Sequence, residues 1–298
     1  MSRERLCLLS RKRSLYSTSR LVEAAKENGA RPLVMDTLRC TMLVEPDGSQ
    51  LYYRGARVRG LTAAIPRIGA SITAYGLAVV SHLDTMGVPV VNGATAIARS
   101  RDKVRSLQLL AAAHLDVPRT VMATRHASVR QLVQLVGGLP CIIKLLRGTQ
   151  GVGVMLGNTL KEVDTILQTF WGLGQEVCLQ EFVKEAKGSD LRVLVVGDEV
   201  VGAMRRTARK GDFRANLHRG GEGRPAKLDA HTRLVAVKAA HVIGLEVCGV
   251  DLLESKDGPK VMELNSSPGF EGLEAATKKD IAGDIVRHAL GLAAKRRA

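Results

Sequence analysis

Aromatic residues and long apolar runs are both scarce in this sequence. Phe, Trp and Tyr make up 3% of the 298 residues, so surfaces for stacking the bases of single-stranded nucleic acid are poorly supplied. No run of about 18 apolar residues occurs, so no membrane-spanning helix is expected. The apolar stretch Leu6–Leu9 is too short for a signal-peptide core and favours a β-strand instead. We therefore expect a cytoplasmic protein with no membrane partner.

The five cysteines are few and scattered. None forms a CxxC pair with another, and they stand at Cys7, Cys40, Cys141, Cys178 and Cys248. This distribution favours free thiols in a reduced core over a disulfide framework or a zinc site.

Positive charge is the strongest compositional feature. Lys and Arg number 44 against 29 Asp and Glu, which gives a formal net charge of +15. Such an excess predicts attraction to a polyanion: nucleic acid, an acidic protein tail or the phosphates of a nucleotide. A basic solvated surface without a dedicated partner remains the alternative. With 45% hydrophobic residues, the chain has enough apolar material for a packed core.

Short strands and helices alternate along the first third of the chain, which predicts a βαβ-type lobe. Strands are expected at Leu6–Leu9, Pro32–Met35, Leu51–Tyr53, Ala63–Ile65 and Val88–Val91, and a helix at Ser17–Glu27. Further helices are expected at Ala94–Leu115, Ser128–Leu135, Ala230–Ile243 and Asp280–Ala294. We predict an α/β fold with three α+β lobes, the second and third built on mainly antiparallel sheets. The expected segments are 1–93, 107–182 and 183–298, with 94–106 as a linker helix that carries Lys103.

The stretch from Gly249 to Asn265 predicts a β-hairpin with Lys256-Asp257-Gly258 as a three-residue loop. Centring the hairpin on Asp257 places Asp251 opposite Glu263, and Asn265 shares the face of Glu263. Two carboxylates and an amide oxygen on rigid strands are suited to magnesium or manganese. An ordinary polar surface hairpin is the alternative.

A glycine-rich segment follows the apolar strand that contains Lys144. Gly148, Gly151 and Gly153 fit neither a P-loop nor a Rossmann turn. Such glycines allow a flap to lie over phosphates with its N–H groups pointing inward. Lys144 is costly to bury unless it meets an anion, so a phosphate contact is expected. The alternative is a lysine that reaches solvent from an edge strand.

The basic segment from Arg205 to Gly221 lacks apolar periodicity and indicates an exposed loop. Most such charge runs are simply solvated. Arginine, however, suits planar carboxylate and phosphate groups. Arg214 and Asn216 are the candidate catalytic residues.

Met262-Glu-Leu-Asn-Ser-Ser-Pro-Gly269 resembles the metal-binding signature of ATP-grasp ligases, and the whole chain from Leu8 resembles the RimK family of glutamate ligases. The other segments that carry this resemblance are Ile65–Gly69, Ala98–Lys103, Lys144–Gly151 and Gly211–Gly221. The sequence departs from the family pattern at Phe182, Ala215 and Ser266.

The resemblance implies an ATP-grasp fold preceded by a pre-ATP-grasp lobe. It implies that Lys103 and Lys144 contact the ATP phosphates, that the loop Gly148–Gly153 covers them, and that Asp190 lies near the ribose. The other implied ATP contacts are Glu181, Phe182, Arg214, Ala215 and Asn216. Asp251, Glu263 and Asn265 would hold two Mg²⁺ or Mn²⁺ ions.

The implied reaction is ATP-dependent addition of free glutamate to the C-terminus of small-subunit ribosomal protein six, through an acyl phosphate. An acidic protein tail, together with contact between the enzyme and ribosomal RNA near the acceptor, would explain the basic charge. The family also implies a homo-oligomer, often a tetramer. Other acceptors remain open: a pterin, a deazaflavin or an amino-acid carrier protein, as does free polyglutamate synthesis. A nucleic-acid-binding protein that kept the ATP-grasp shell is the alternative from another class.

Overall fold

A three-stranded parallel sheet forms the first part of the chain, as predicted. The computed structural model describes residues 4–146, 153–209, 212–215 and 221–297. Strand β1 (Arg5–Leu9) lies between β2 (Arg31–Met35) and β6 (Ala63–Pro66), and helix α1 (Tyr16–Glu27) connects β1 to β2. A small antiparallel sheet of β3 (Cys40–Leu43), β4 (Gln50–Tyr53) and β5 (Ala56–Arg57) adjoins it. The βαβ prediction is confirmed.

Two predictions for this region are wrong. Val88–Val91 is not a strand: it forms a single bridge from Val90 to Ala64, and Pro89 has no N–H with which to extend a ladder. Ala94–Leu115 is not one helix but two, α3 (Ala94–Arg101) and α4 (Lys103–Ala112). The helix breaks at Asp102, whose extended backbone and carboxylate cap α4 by accepting a 2.9 Å hydrogen bond from the Arg105 N–H.

The second sheet is antiparallel, in the order β7 (Thr120–Met122), β10 (Val177–Glu181), β8 (Cys141–Leu145), β9 (Val154–Gly157). Helices α5 (Val129–Leu135) and α6 (Leu160–Gly172) pack their apolar faces against it. The third sheet has the order β13 (Glu222–Pro225), β12 (Glu199–Thr207), β11 (Ser189–Val196), β14 (Val247–Ser255), β15 (Gly258–Asn265). All of its pairings are antiparallel, which confirms the expected sheet type.

Helices α7 (Ala230–Ile243), α8 (Glu271–Thr277) and α9 (Ile281–Arg297) complete the chain. One buried cluster joins the first sheet to α9, so the first and last parts of the chain share a core. All five cysteines are buried and free, as predicted. Within the described ranges, no helix is long and apolar enough to cross a membrane.

Candidate active site

A cleft between the second and third sheets contains most of the predicted site residues. It encloses about 970 Å³ of empty space, part of it open to solvent. The predicted residues that line it are Lys103, Lys144, Glu181, Phe182, Asp190, Arg214, Ala215, Asp251 and Glu263. Residues from five strands and from the segment 212–215 therefore meet at one concave surface.

The β14–β15 hairpin places Asp251 opposite Glu263 and Gly249 opposite Asn265, as predicted. The predicted three-residue loop is wrong, because Ser255 pairs with Gly258 and only two residues form the turn. A bulge at Met262, between the Leu252–Val261 and Asp251–Glu263 pairs, adds one residue to β15. The shorter loop and the bulge cancel, so the register at the site is the predicted one.

Two arginines contact Asp251: Arg206, which is buried, and Arg192, which is partly buried. The sequence analysis gave Arg192 no role and placed Arg206 at the start of an exposed loop; that placement is wrong, because Arg206 belongs to strand β12. Arg192 lies opposite Asp251 on β11 and donates to both of its oxygens, with 2.8 Å between Nη2 and Oδ2. Arg206 lies opposite Asp190 on β12, donates to both Asp190 oxygens, and places Nη2 3.0 Å from Asp251 Oδ2. Two arginines thus compensate two aspartates across three adjacent strands.

Burial makes this charge cluster strongly coupled. Asp190, Arg206 and Asp251 each retain 5% exposure. Burial and the neighbouring Asp251 charge raise the pKa of Asp190. Burial also opposes ionisation of Asp251, but the charges and hydrogen bonds of Arg192 and Arg206 outweigh it and lower the Asp251 pKa. Asp251 is therefore held as a carboxylate at neutral pH.

The oxygens on this hairpin fit a hard divalent cation. Asp251 and Glu263 are directly opposite each other, and Asn265 lies two residues further along β15. Asp251 accepts three N–H contacts, whereas a carboxylate offers about four acceptor positions. In the described part of the chain no third His, Cys, Asp or Glu joins these two. Phosphate oxygens and water would therefore complete the coordination shell.

The two candidate phosphate-binding lysines also line the cleft. Lys144 points from β8 to the neutral amide of Gln180, with 2.6 Å from Nζ to Oε1. Burial lowers the pKa of Lys144, although the nearby charge of Glu263 opposes this. Lys103 is the first residue of α4, and its Nζ donates to the Leu146 carbonyl at 3.1 Å. An anion in the cleft would compensate both cations.

Glu181 connects the second and third sheets at the end of β10. Its carboxylate accepts from the Arg119 N–H at 3.0 Å and from Lys260 Nζ at 3.1 Å. Burial opposes ionisation of Glu181, but these contacts outweigh it and lower its pKa. Because the side chain is engaged in this way, the backbone of Glu181 and Phe182 is the part that can contact a ligand.

Arg214 lies at the open side of the cleft. It donates to both Asp212 oxygens at 3.0 and 3.1 Å and to the Val154 carbonyl on β9 at 3.5 Å. Its guanidinium lies 5.4 Å from the Phe213 ring centroid. Gly153, with φ of +74°, precedes β9 and accepts a hydrogen bond from Leu145 N–H. Gly148, Gly151 and Asn216 lie outside the described residues.

Asn265 is exposed beside the cleft rather than among its lining residues. Its Oδ1 accepts a 2.9 Å hydrogen bond from Ser267 N–H, which fixes the turn after β15. Arg192 and Arg206 are the residues that the sequence reasoning missed. For Arg192 the signal is an arginine inside an otherwise apolar strand, two residues after Asp190. Arg206 lies between Arg205 and Thr207 at the end of β12, so its strand offers no such signal.

Comparison with known proteins assigns the chain to a family. Residues 100–289 match the sequence model of the RimK-like ATP-grasp domain, and residues 5–97 match that of the RimK PreATP-grasp domain. The chain belongs to the RimK-like ATP-grasp family. Proteins named probable alpha-L-glutamate ligase from Pseudomonas paraeruginosa and Vibrio parahaemolyticus are each 50% identical to it, over 95% and 94% of this chain and 94% and 93% of theirs.

Solved structures agree on the fold. The ATP-grasp ligase PsnB, complexed with a minimal precursor, superimposes with a TM-score of 0.78 at 24% identity, over 98% of this chain and 100% of that one. The RimK domain protein ATP-grasp from Sphaerobacter thermophilus gives a TM-score of 0.72 at 23% identity, over 96% and 100% of the two chains. The RimK-like chain is an ATP-dependent ligase with an ATP-grasp fold.

Proposed function

We propose that this RimK-like ligase adds L-glutamate to the C-terminal carboxylate of small-subunit ribosomal protein six. The observation that carries the proposal is the cleft, which two lysines, Lys103 and Lys144, line together with the carboxylate pair of Asp251 and Glu263. Its relatives named probable alpha-L-glutamate ligase support glutamate as the amine substrate. PsnB and the macrocyclase MdnC are recorded with precursor peptides, which favours a peptide acceptor over a pterin or deazaflavin.

In this proposal Lys103 and Lys144 bind the ATP phosphates, and Asp190 lies near the ribose. The backbone of Glu181 and Phe182 contacts the adenine edge. Gly148, Gly151 and Gly153 belong to the covering loop, and Ala215 and Asn216 complete the nucleotide contacts. A related ligase, PsnB, is recorded with Mg and ADP.

Asp251, Glu263 and Asn265 are the residues proposed to hold two magnesium or manganese ions. Bound there, the metal would neutralise phosphate charge. The chain itself orients the substrates and compensates charge, since phosphoryl transfer needs little else from a protein. In the same proposal Arg214 compensates the anionic phosphoryl group as it moves to the acceptor carboxylate. The glutamate amine then attacks the acyl carbon, forming the amide and releasing phosphate.

The remaining expectations belong to the same proposal. The segments 1–93, 107–182 and 183–298 act as three lobes around the cleft, and the enzyme works in the cytoplasm as a homo-oligomer, a tetramer by family resemblance. Ribosomal RNA near the acceptor would add to the attraction that a net charge of +15 exerts on an acidic tail.

Intact-mass spectrometry tests the reaction and the acceptor together. Ribosomal protein six is incubated with the enzyme, ATP, Mg²⁺ and glutamate. Its mass should rise in increments of one glutamate residue, and one ADP should be released for each residue added. Glu263→Gln serves as the inactive control. ADP release that depends on glutamate but leaves this acceptor's mass unchanged would contradict the choice of acceptor. Mass steps on a carrier protein or on free glutamate would identify the alternatives.

A further inference from the structure

Arg67 is a partly buried cation without an acidic partner. It follows β6, and its Nη2 donates to the Pro268 carbonyl at 2.8 Å and to Ser17 Oγ at 3.2 Å. Its guanidinium lies 5.8 Å from the Phe270 ring centroid. Burial lowers the pKa of Arg67 to about 10. No aspartate or glutamate of the described chain forms an ion pair with it, and its Nε and Nη1 donate no hydrogen bond to described residues.

Arg67 lies where an open parallel sheet binds its ligands. In the order β2-β1-β6, the chain passes from β1 to β2 on one side of β1, whereas β6 lies on the other side. The strand order therefore reverses between β1 and β6. Ligands of such sheets bind outside the carboxyl ends of the strands at this point. Helix α1 begins there without a side-chain cap and without an acid in its first turn. The helix dipole adds positive potential at this end.

The residue before Pro268 carries an unsatisfied hydroxyl. Ser267 Oγ is buried and has no hydrogen-bond partner among the described residues. Ser267 also donates its N–H to Asn265 Oδ1 and is followed by Pro268, the residue that Arg67 contacts. The segment that Arg67 contacts is therefore separated from the candidate metal hairpin by only a few residues of chain.

We propose that Arg67, Ser17 and Ser267 form a subsite that binds the side-chain carboxylate of a glutamate substrate. The subsite rests on the proposed function and extends it, because it explains how glutamate is selected over uncharged amino acids. Nη1 and Nε of Arg67 are the donors available for a carboxylate, and planar two-point binding is the strength of arginine. The carboxylate comes either from the incoming glutamate or from the glutamate that ends the growing acceptor.

The test compares charged and uncharged substrates in wild type and Arg67→Gln. In one arm glutamate and glutamine compete as the incoming amino acid; in the other, acceptor peptides end in glutamate or glutamine. One of these two substrates provides the carboxylate that Arg67 binds. For that substrate R67Q should raise the KM of the glutamate form about 10- to 100-fold, because hydrogen bonds to a charged group are lost. The preference over the glutamine substrate should fall by a similar factor, while kcat changes less. Arg67→Lys should fall between the two.

Arg57→Gln is the matched control, since it removes an exposed arginine of the same lobe on β5. Ser267→Ala keeps the Arg67 contacts and should weaken the same preference, so the subsite stays testable if R67Q does not fold. An unchanged preference in both arms, with lower kcat or Tm, would show that Arg67 only anchors the Pro268 loop and would overturn the subsite.

Binding measurements separate this subsite from the proposed reaction. The rise in Tm that glutamate or a glutamate-ended peptide produces should exceed that of its glutamine counterpart in wild type but not in R67Q. Wild type that fails to join glutamate to any acceptor overturns the reaction, whereas equal Tm shifts for the charged and uncharged ligands overturn the subsite.

Discussion

Asp251 and Glu263 face each other but lie in opposite environments. Asp251 is buried and compensated by two arginines, whereas Glu263 is exposed and accepts no hydrogen bond from the described residues. The pairing of these two acids followed from sequence spacing alone. The arginines did not, because Arg192 and Arg206 reach Asp251 from β11 and β12, whose registers no local pattern specifies.

This difference predicts that the two acids respond differently to neutralisation. If Asp251 and Glu263 hold the metal, both Asp251→Asn and Glu263→Gln should abolish ADP release. Asp251→Asn should also cost about 3 to 5 kcal/mol in the free energy of unfolding, because it takes a carboxylate away from the buried Arg206 and the partly buried Arg192. Glu263→Gln should stay within about 0.5 kcal/mol of wild type. Denaturant unfolding and an ADP assay measure both effects; an active Glu263→Gln enzyme would refute its role.

At the scale of elements, the Met262 bulge explains why a wrong loop produced a correct site. Counting along a regular hairpin from a three-residue loop paired Asp251 with Glu263. The true turn is one residue shorter, and the bulge restores the lost residue before the site. Val261 consequently faces the core while Glu263 faces the cleft, although they are two residues apart. The alternation of polar and apolar residues cannot locate this bulge, because Val261 and Met262 are both apolar and the pattern does not show which of them is the extra residue.

Helix α1 is joined to α8 by a hydrogen bond that should report on alkaline pH. Tyr16 donates to Glu274 Oε2 at 2.7 Å, and this bond to a carboxylate, with burial, raises the pKa of Tyr16 to about 12. A raised folded-state pKa stabilises the fold below the unfolded value of about 10 and loses that contribution as pH rises to about 12.

The expected result is a pH-dependent difference between wild type and Tyr16→Phe. The stability lost in Tyr16→Phe, measured by urea unfolding, should be constant below about pH 10 and should shrink above it. In a Glu274→Gln background the same substitution should lose this alkaline dependence, because the phenol no longer donates to a charged oxygen. If the stability difference between wild type and Tyr16→Phe, with Glu274 present, stayed constant up to about pH 12, the raised pKa of Tyr16 would be contradicted.

At the scale of the whole molecule, the sequence predicts the types of the sheets better than the helices that cover them. The antiparallel and parallel sheets followed from strand spacing and turn residues. Helices α2 (Thr73–Thr85), α6 and α8 were missed. Gly76 interrupts the α2 pattern, and Ile68 packs where a side chain would project from it. Helix α2, covered on several sides, lacks the one-faced periodicity by which helices are found in a sequence. Helix α6 has such a periodicity, with Val163 and Leu167 on its buried face, and could have been found.

The excess positive charge is a property of the whole surface, so its test is one of ionic strength. A net charge of +15 should steer an acidic acceptor tail towards the cleft. Raising salt from about 0.1 M to 1 M shortens the screening length from about 10 Å to 3 Å and should raise the KM for an acidic peptide acceptor. An equally long acceptor in which the acids before the C-terminal residue are replaced by their amides should show a much smaller change. Its terminal carboxylate and the glutamate substrate are common to both assays, so salt effects on ATP, glutamate and the chemical step cancel. Equal salt dependence of the two acceptors would mean that the basic surface does not recruit the tail.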